Sequence, residues 1–260
     1  MQTPTLLIAG HGSRNRQANM EFETLVSMYG SRWPDFKTTY GYLEHATPSL
    51  DDALKEAAQN SDLVVLLSLF LFAAGHIKLD IPQAVERAKE RFPRVQFAVA
   101  SGIGPHPGMA ELALARARTI TTEAHLRQEG AAVVVVGRGF SDAQAYADFL
   151  SLVHGIGERY QLAWIEPSCV AISAPLVEET IESVIRRGAE RVIVLPYFLF
   201  AGRLISKLQH QLAGLSARHQ QVDILLAPHL GVHPILFTVV DERLREALGQ
   251  LAGTITRLAE

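Results

Sequence analysis

Cysteine is nearly absent: Cys169 is the only one in 260 residues. A lone thiol forms no intramolecular disulfide and no cysteine-rich metal site, which fits a reducing compartment. An excess of charge is missing too. Twenty-four Lys and Arg against 27 Asp and Glu leave a formal net charge of −3, which disfavours nucleic acid as a main partner. Long apolar runs are missing. The most apolar stretch, Leu63 to Ala74, holds 12 residues including Ser68, whereas a bilayer span needs about 20. No basic n-region precedes Leu6-Leu7-Ile8-Ala9, which is too short for a signal h-region. No Gly-x-x-x-x-Gly-Lys occurs, so a P-loop for nucleotide phosphates is not expected. These absences describe a cytoplasmic protein with no membrane partner.

What the chain does contain is alternation. Short apolar runs at Leu6–Ala9, Thr38–Leu43, Leu63–Phe72 and Val95–Ala100 read as strands. Between them, Asn15–Tyr29, Pro48–Ala58 and Leu79–Arg91 read as helices, and Pro107–Gln128 as one long helix. Thr47 is the expected N-cap of the second helix, with Pro48 in its first turn. Further strands are expected at Ala131–Val136, Gln161–Glu166, Val192–Leu195 and Val222–Leu226, separated by helices at Ala143–Arg159, Pro175–Arg187, Ser206–Arg218 and His233–Leu251. Strand–helix alternation implies an α/β fold with mainly parallel sheets covered on both faces.

The second half repeats the first. Gly-His11-Gly matches Gly-Arg138-Gly, Pro48 matches Pro175, and Gly-Pro-His106-Pro matches Gly-Val-His233-Pro, all at a shift of 127 residues. Phe70-Leu71-Phe72-Ala73 matches Phe198-Leu199-Phe200-Ala201 at a shift of 128. Landmarks in one order at nearly one spacing indicate duplication and fusion. The division expected is residues 1–128, carrying a metal site, and residues 129–260, a degenerate copy forming the other wall of a cleft.

Ligands of open parallel sheets bind beyond the C-terminal strand ends. There the first copy carries His11, Glu44 and His76, with His45 and Lys78 as weaker candidates. Two imidazoles and a carboxylate suit Co²⁺, Fe²⁺, Ni²⁺ or Zn²⁺, and the same carboxylate would serve as a base. Ser13, Arg14 and Arg16 open the first helix and would hold anionic groups with help from its amides. In the second copy His11 is replaced by Arg138, Glu44 by Ala171, and His76 by Arg203 or Leu204. Proposed metal-site residues have gone and arginines have come. His106 and His233 persist in both copies, each before a proline, which fits a helix start better than a single metal site.

The strand ending in Gly-His11-Gly-Ser13-Arg14, the Leu43-Glu44 followed by Pro48, and Phe-Leu-Phe-Ala-Ala-Gly-His76 resemble the sirohydrochlorin chelatase family in its long two-domain form, related to the class II chelatases. The resemblance covers essentially the whole chain. It implies ATP-independent insertion of Co²⁺, alternatively Fe²⁺ or Ni²⁺, into sirohydrochlorin, with cobalt feeding cobalamin and iron making siroheme. It implies metal on His11 and His76 assisted by Glu44, and a flat macrocycle whose rim carboxylates pair with arginines such as Arg138 and Arg203. No organic cofactor and no iron–sulfur cluster are expected, and the fused halves would mimic a homodimer within a monomer. A uroporphyrinogen synthase would leave the paired histidines unexplained. A tetrapyrrole carrier or metal chaperone would use the same residues without turnover.

Overall fold

A computed structural model describes residues 2–72 and 77–259. The first unit holds β1 (Thr5–Gly10), α1 (Arg16–Gly30), β2 (Lys37–Tyr42), α2 (Leu50–Gln59), β3 (Leu63–Ser68), α3 (Ile77–Arg91) and β4 (Gln96–Val99). Its sheet is parallel throughout, in the order β2-β1-β3-β4. β1 and β3 lie inside it, so their side chains are buried on both faces, which is why they read as unbroken apolar runs. After β2 the chain crosses back over β1 to build β3, so the strand order reverses between β1 and β3. Such a reversal opens a crevice at the C-terminal strand ends.

The second unit repeats this plan. After α4 (Pro107–Ala117) and α5 (Glu123–Arg127) come β5 (Ala131–Gly137), α6 (Ala143–Tyr160), β6 (Ile165–Cys169), α7 (Val177–Arg186), β7 (Arg191–Pro196), α8 (Arg203–Arg218) and β8 (Asp223–Leu226). The sheet is again parallel, in the order β6-β5-β7-β8. The last helix is α9 (Pro234–Ala259). No helix among the described residues is long and apolar enough to cross a membrane.

The sequence repeat changes over near residue 128, but compactness groups the chain differently. One unit comprises residues 1–104 and 237–260, the other residues 105–236. The first unit thus takes α9 from the second repeat, and the second takes α4 and α5 from the first. In the first, the Asp241 carboxylate of α9 accepts hydrogen bonds from Arg32 Nη2 at 2.6 Å and Trp33 Nε1 at 2.9 Å, and Phe237 stacks beside Tyr29. In the second, Glu111 of α4 accepts from the Tyr160 hydroxyl and from Arg118. One arginine each of α9 and α4 ties down the loop after the fourth strand. Arg243 donates to Ile103 O at 3.1 Å, and Arg116, 127 residues earlier, donates to Leu230 O at 2.8 Å and Val232 O at 3.2 Å.

Several boundaries differ from the sequence expectation. The N-cap of α2 is Ser49, whose hydroxyl accepts the Asp52 N–H at 3.1 Å, not Thr47. Tyr42 and Ser49 form a parallel bridge, which brings the start of the helix back beside the end of β2. The long helix expected over 107–128 is broken between α4 and α5, where Thr119, Thr121 and Thr122 cluster and the Thr122 hydroxyl caps α5. Threonines suit caps better than helix interiors. β3 stops at Ser68 rather than Phe72, and β6 begins at Ile165 rather than Gln161.

Candidate active site

The loop after β1 and the loop after β2 are laced together by the backbone. Leu43 N–H donates to Gly10 O and Glu44 N–H to His11 O, each at 3.0 Å. Between them Gly12 adopts φ +84, and a Cβ built there would lie 1.8 Å from Glu44 O. Only glycine fits this approach. The lacing places the Glu44 side chain against the first histidine: Glu44 Oε1 stands 3.2 Å from His11 Nε2. His45 adopts φ +63, so the chain is not extended there and the ring does not turn to the opposite face. Its Nε2 reaches the other oxygen, Glu44 Oε2, at 3.4 Å. One carboxylate therefore lies between two imidazoles, all three partly open to solvent.

Neighbouring elements hold this group. The His11 ring stands edge-on to Phe70 beyond the end of β3, with centroids 6.4 Å apart. Leu69 N–H donates to Ala9 O at 2.9 Å, which fixes the start of that segment beside β1. His11 thus sits at the sheet's reversal point. His76, on the segment running from Phe70 to α3, lies outside the described residues. Among the described residues, no three His, Cys, Asp or Glu side chains form a ready metal cage. Lys78 is exposed in the first turn of α3.

Ser13 belongs to the loop's own wiring. Its hydroxyl accepts the Asn15 N–H at 3.0 Å and its carbonyl accepts from Asn19 Nδ2 at 2.8 Å. The N-cap of α1 is Asn15, whose Oδ1 accepts from Gln17 N at 2.9 Å and Ala18 N at 3.4 Å. Those helix-end amides are already taken, contrary to the expectation that they would help bind an anion. Arg14 and Arg16 are exposed beside them. His106 and His233 both act at helix starts: each Nδ1 accepts the N–H two residues on, from Gly108 at 3.0 Å and Ile235 at 3.2 Å.

The second unit keeps the scaffold and changes its side chains. Val170 N–H donates to Gly137 O at 3.0 Å and Ala171 N–H to Arg138 O at 3.1 Å. Gly139 has φ +106, and a Cβ there would stand 1.7 Å from Ala171 O. Arg138 and Arg203 are both exposed, the first just past β5 and the second opening α8. Arg203 is followed one turn later by Lys207, whose Nζ donates to Val170 O at 3.0 Å. The position matching His45 is Ile172, also left-handed at φ +70. Residue type alone does not single out Ile172 or Lys207. Their only signal in the sequence is their place in the repeat.

The same lacing, the same glycine and the same left-handed residue 127 positions apart describe one motif used twice. A family model described as CbiX matches residues 5–120 and again residues 132–247. The chain belongs to the CbiX family. Its relatives include a sirohydrochlorin cobaltochelatase of Priestia megaterium, 32% identical over 94% of this chain and 80% of that protein. A sirohydrochlorin ferrochelatase of Bacillus subtilis strain 168 is 24% identical over 95% of this chain and 93% of its own length. Among solved structures, SirB from Bacillus subtilis with Fe³⁺ matches with a TM-score of 0.83 at 23% identity, covering 96% of this chain and 98% of that one. The two halves of the CbiX match correspond to the two sheets, and the histidine–carboxylate group lies in the first.

Proposed function

We propose that this protein inserts a divalent metal ion into sirohydrochlorin without ATP, with Co²⁺ as the metal and cobalamin as the destination. The observation that carries the reading is the Glu44 carboxylate held 3.2 Å from His11 Nε2 at the reversal point of a CbiX sheet. An ionised carboxylate only accepts, so this contact needs the imidazole proton on Nε2. Metal arriving at that nitrogen displaces the proton and frees Glu44 from its partner. His11 and His76 then hold the metal weakly enough to surrender it, and as the ion moves into the ring Glu44 takes one of the two pyrrole N–H protons, the second and the displaced imidazole proton passing to solvent. His45, on the far oxygen of the same carboxylate, keeps Glu44 aimed at the site.

Arg14, Arg138 and Arg203 are the proposed partners of the macrocycle's rim carboxylates, to which a planar guanidinium binds in bidentate fashion. The exchange of α4 and α9 between the units supports duplication and fusion of an ancestral swapped pair, with halves 1–128 and 129–260, acting now as a monomer in the cytoplasm.

The test is an anaerobic insertion assay with sirohydrochlorin and, separately, Co²⁺, Fe²⁺ and Ni²⁺, followed by visible absorbance. Acceleration over the spontaneous rate, lost in His11→Ala and His76→Ala while folding is retained, is the expected result, and the three rates rank the metals. A ferrochelatase role in siroheme synthesis is the outcome if iron outpaces cobalt. Full activity in His11→Ala would remove the proposed metal site. A spectral shift on adding the macrocycle, with no turnover, would make the protein a carrier.

A further inference from the structure

Between α1 and the edge strand β2, the first unit holds a groove of about 460 Å³, a size ordinary for small-molecule sites. Glu23, Ser27 and Ser31 line one side, four residues apart and so on one face of α1 and its C-cap. Phe36, Thr38 and Tyr40 line the other, two residues apart and so on one face of the strand. The groove shares no residue with the His11–Glu44–His45 group. Glu23 alone among its lining residues carries a charge. The Tyr42 hydroxyl donates to Glu23 Oε1 at 2.9 Å, and no cation among the described residues pairs with this carboxylate. Its charge reaches Tyr40, whose phenol is pushed above its ordinary pKa first by burial and then by Glu23.

The second unit shows that the scaffold does not require this chemistry. There, 127 positions on, Glu23 is replaced by Leu150, Thr38 by Ile165 and Tyr40 by Pro167. The helix–strand approach is the same in both. A Cβ on Gly30 would stand 2.9 Å from Thr38 Oγ1, and one on Gly157 2.8 Å from Ile165 Cγ2. At that contact the first unit puts a hydroxyl where the second puts a methyl group. Thr38 Oγ1 is buried with no hydrogen-bond partner among the described residues, which is destabilising by itself.

We infer that this groove is a binding site for a small primary amine, held by the Glu23 carboxylate and the hydroxyls around it with its apolar body against Phe36 and Tyr40. An ammonium has three donors and no acceptor. They match the second carboxylate oxygen, which Tyr42 leaves open, and the Ser27 and Ser31 oxygens on the same helix face. The Ser31 hydroxyl spends its proton on Ser27 O at 3.1 Å, which leaves its oxygen to accept. Aromatic rings beside a carboxylate favour a cation over a neutral or anionic ligand. The inference is independent of the metal-insertion reading.

The experiment is an NMR titration of the isotopically labelled full chain with benzylamine, charged at neutral pH, and with benzyl alcohol, its neutral analogue. The expected result is saturable amide shifts centred on residues 23–40 with the amine, and affinity about tenfold weaker for the alcohol. Glu23→Gln keeps an oxygen for the Tyr42 hydroxyl, so the fold persists, and should weaken the amine about tenfold. Ser27 is exposed, so Ser27→Phe should keep the melting temperature while its ring fills the groove and abolishes the shifts. Shifts that do not saturate, equal affinity for amine and alcohol, or undiminished amine binding in either variant would overturn the inference. Neither metal nor macrocycle is present, so the result stands apart from the insertion assay.

Discussion

Adding one methyl group at Gly12 would drive a Cβ to 1.8 Å from the Glu44 carbonyl oxygen. An ordinary carbon–oxygen approach is about 3.3 Å, so the two loops must part by about 1.5 Å. That movement breaks the 3.0 Å hydrogen bond from Glu44 N–H to His11 O, at a cost of about 1 kcal/mol. Holding alanine at φ +84 costs about 1–2 kcal/mol more. A total near 2–3 kcal/mol corresponds to a melting temperature lower by about 5–10 °C for a chain of this size. The larger consequence is positional. Glu44 leaves its station beside His11, and a misplacement of about 1 Å in a catalytic group costs on the order of 100-fold in turnover. Gly139→Ala is the matched control, because its Cβ would stand 1.7 Å from Ala171 O in the copy that lacks the histidine and carboxylate. Both variants should lose similar stability by denaturant titration. Gly12→Ala should lose kcat in the insertion assay, whereas Gly139→Ala should retain it. Equal kcat losses in the two would show that the effect is general destabilisation, and undiminished kcat in Gly12→Ala would refute the positional argument.

The borrowed helices and the caps can be probed in the same way. Burial pushes the Asp241 carboxyl up, but hydrogen bonds from Arg32 and Trp33, the nearby Tyr29 hydroxyl and the Arg32 charge outweigh it and leave the group below its ordinary value. Its stabilising contribution is therefore present above the ordinary carboxylate pKa and lost as pH falls through the lowered one. Asp241→Ala should cost about 1–3 kcal/mol at neutral pH and remove that part of the acid sensitivity, read from unfolding midpoints across pH. Arg116→Ala should cost about 2–3 kcal/mol by leaving the Leu230 and Val232 carbonyls without a donor, and Arg116→Lys should not restore it, because one ammonium does not reproduce the fork. The His233 pKa is lowered by burial and then by the Arg116 charge. That histidine therefore stabilises fully above its ordinary value, near 6.5, and loses its contribution as pH falls from there toward the lowered value; His233→Asn should flatten the stability profile in that window. His106→Ala should cost about 1 kcal/mol of stability and leave metal insertion unchanged, an outcome that a ligand role would contradict.

Some elements are legible in the amino-acid pattern and some are not. β1, β3, β5 and β7 announce themselves because a strand buried on both faces is apolar along most of its length, with polar residues such as Thr5, Ser68 and Arg191 only at its ends. β6 is expected too early, at Gln161–Glu166 rather than Ile165–Cys169, since Glu166, Pro167 and Ser168 lie on an edge strand, where polar residues and proline are tolerated. The start of α2 is written in Ser49-x-x-Asp52, a capping pattern hidden behind the more conspicuous Pro48. His11 and Glu44 can be nominated from their places after strands. Their 3.2 Å contact cannot, because it depends on a glycine that lets two loops lie against each other.

The α/β class, the duplication, and the asymmetry between a histidine-bearing copy and an arginine-bearing one all reside in the chain's own pattern, because periodicity and repeat spacing are local, countable properties. Other features exist only once the chain is folded. α4 and α9 change places between the units, one carboxylate stands between His11 and His45, and Ile172 faces solvent in a left-handed bend. These depend on contacts between residues far apart in the chain, or on a backbone conformation that the surrounding fold imposes against local preference.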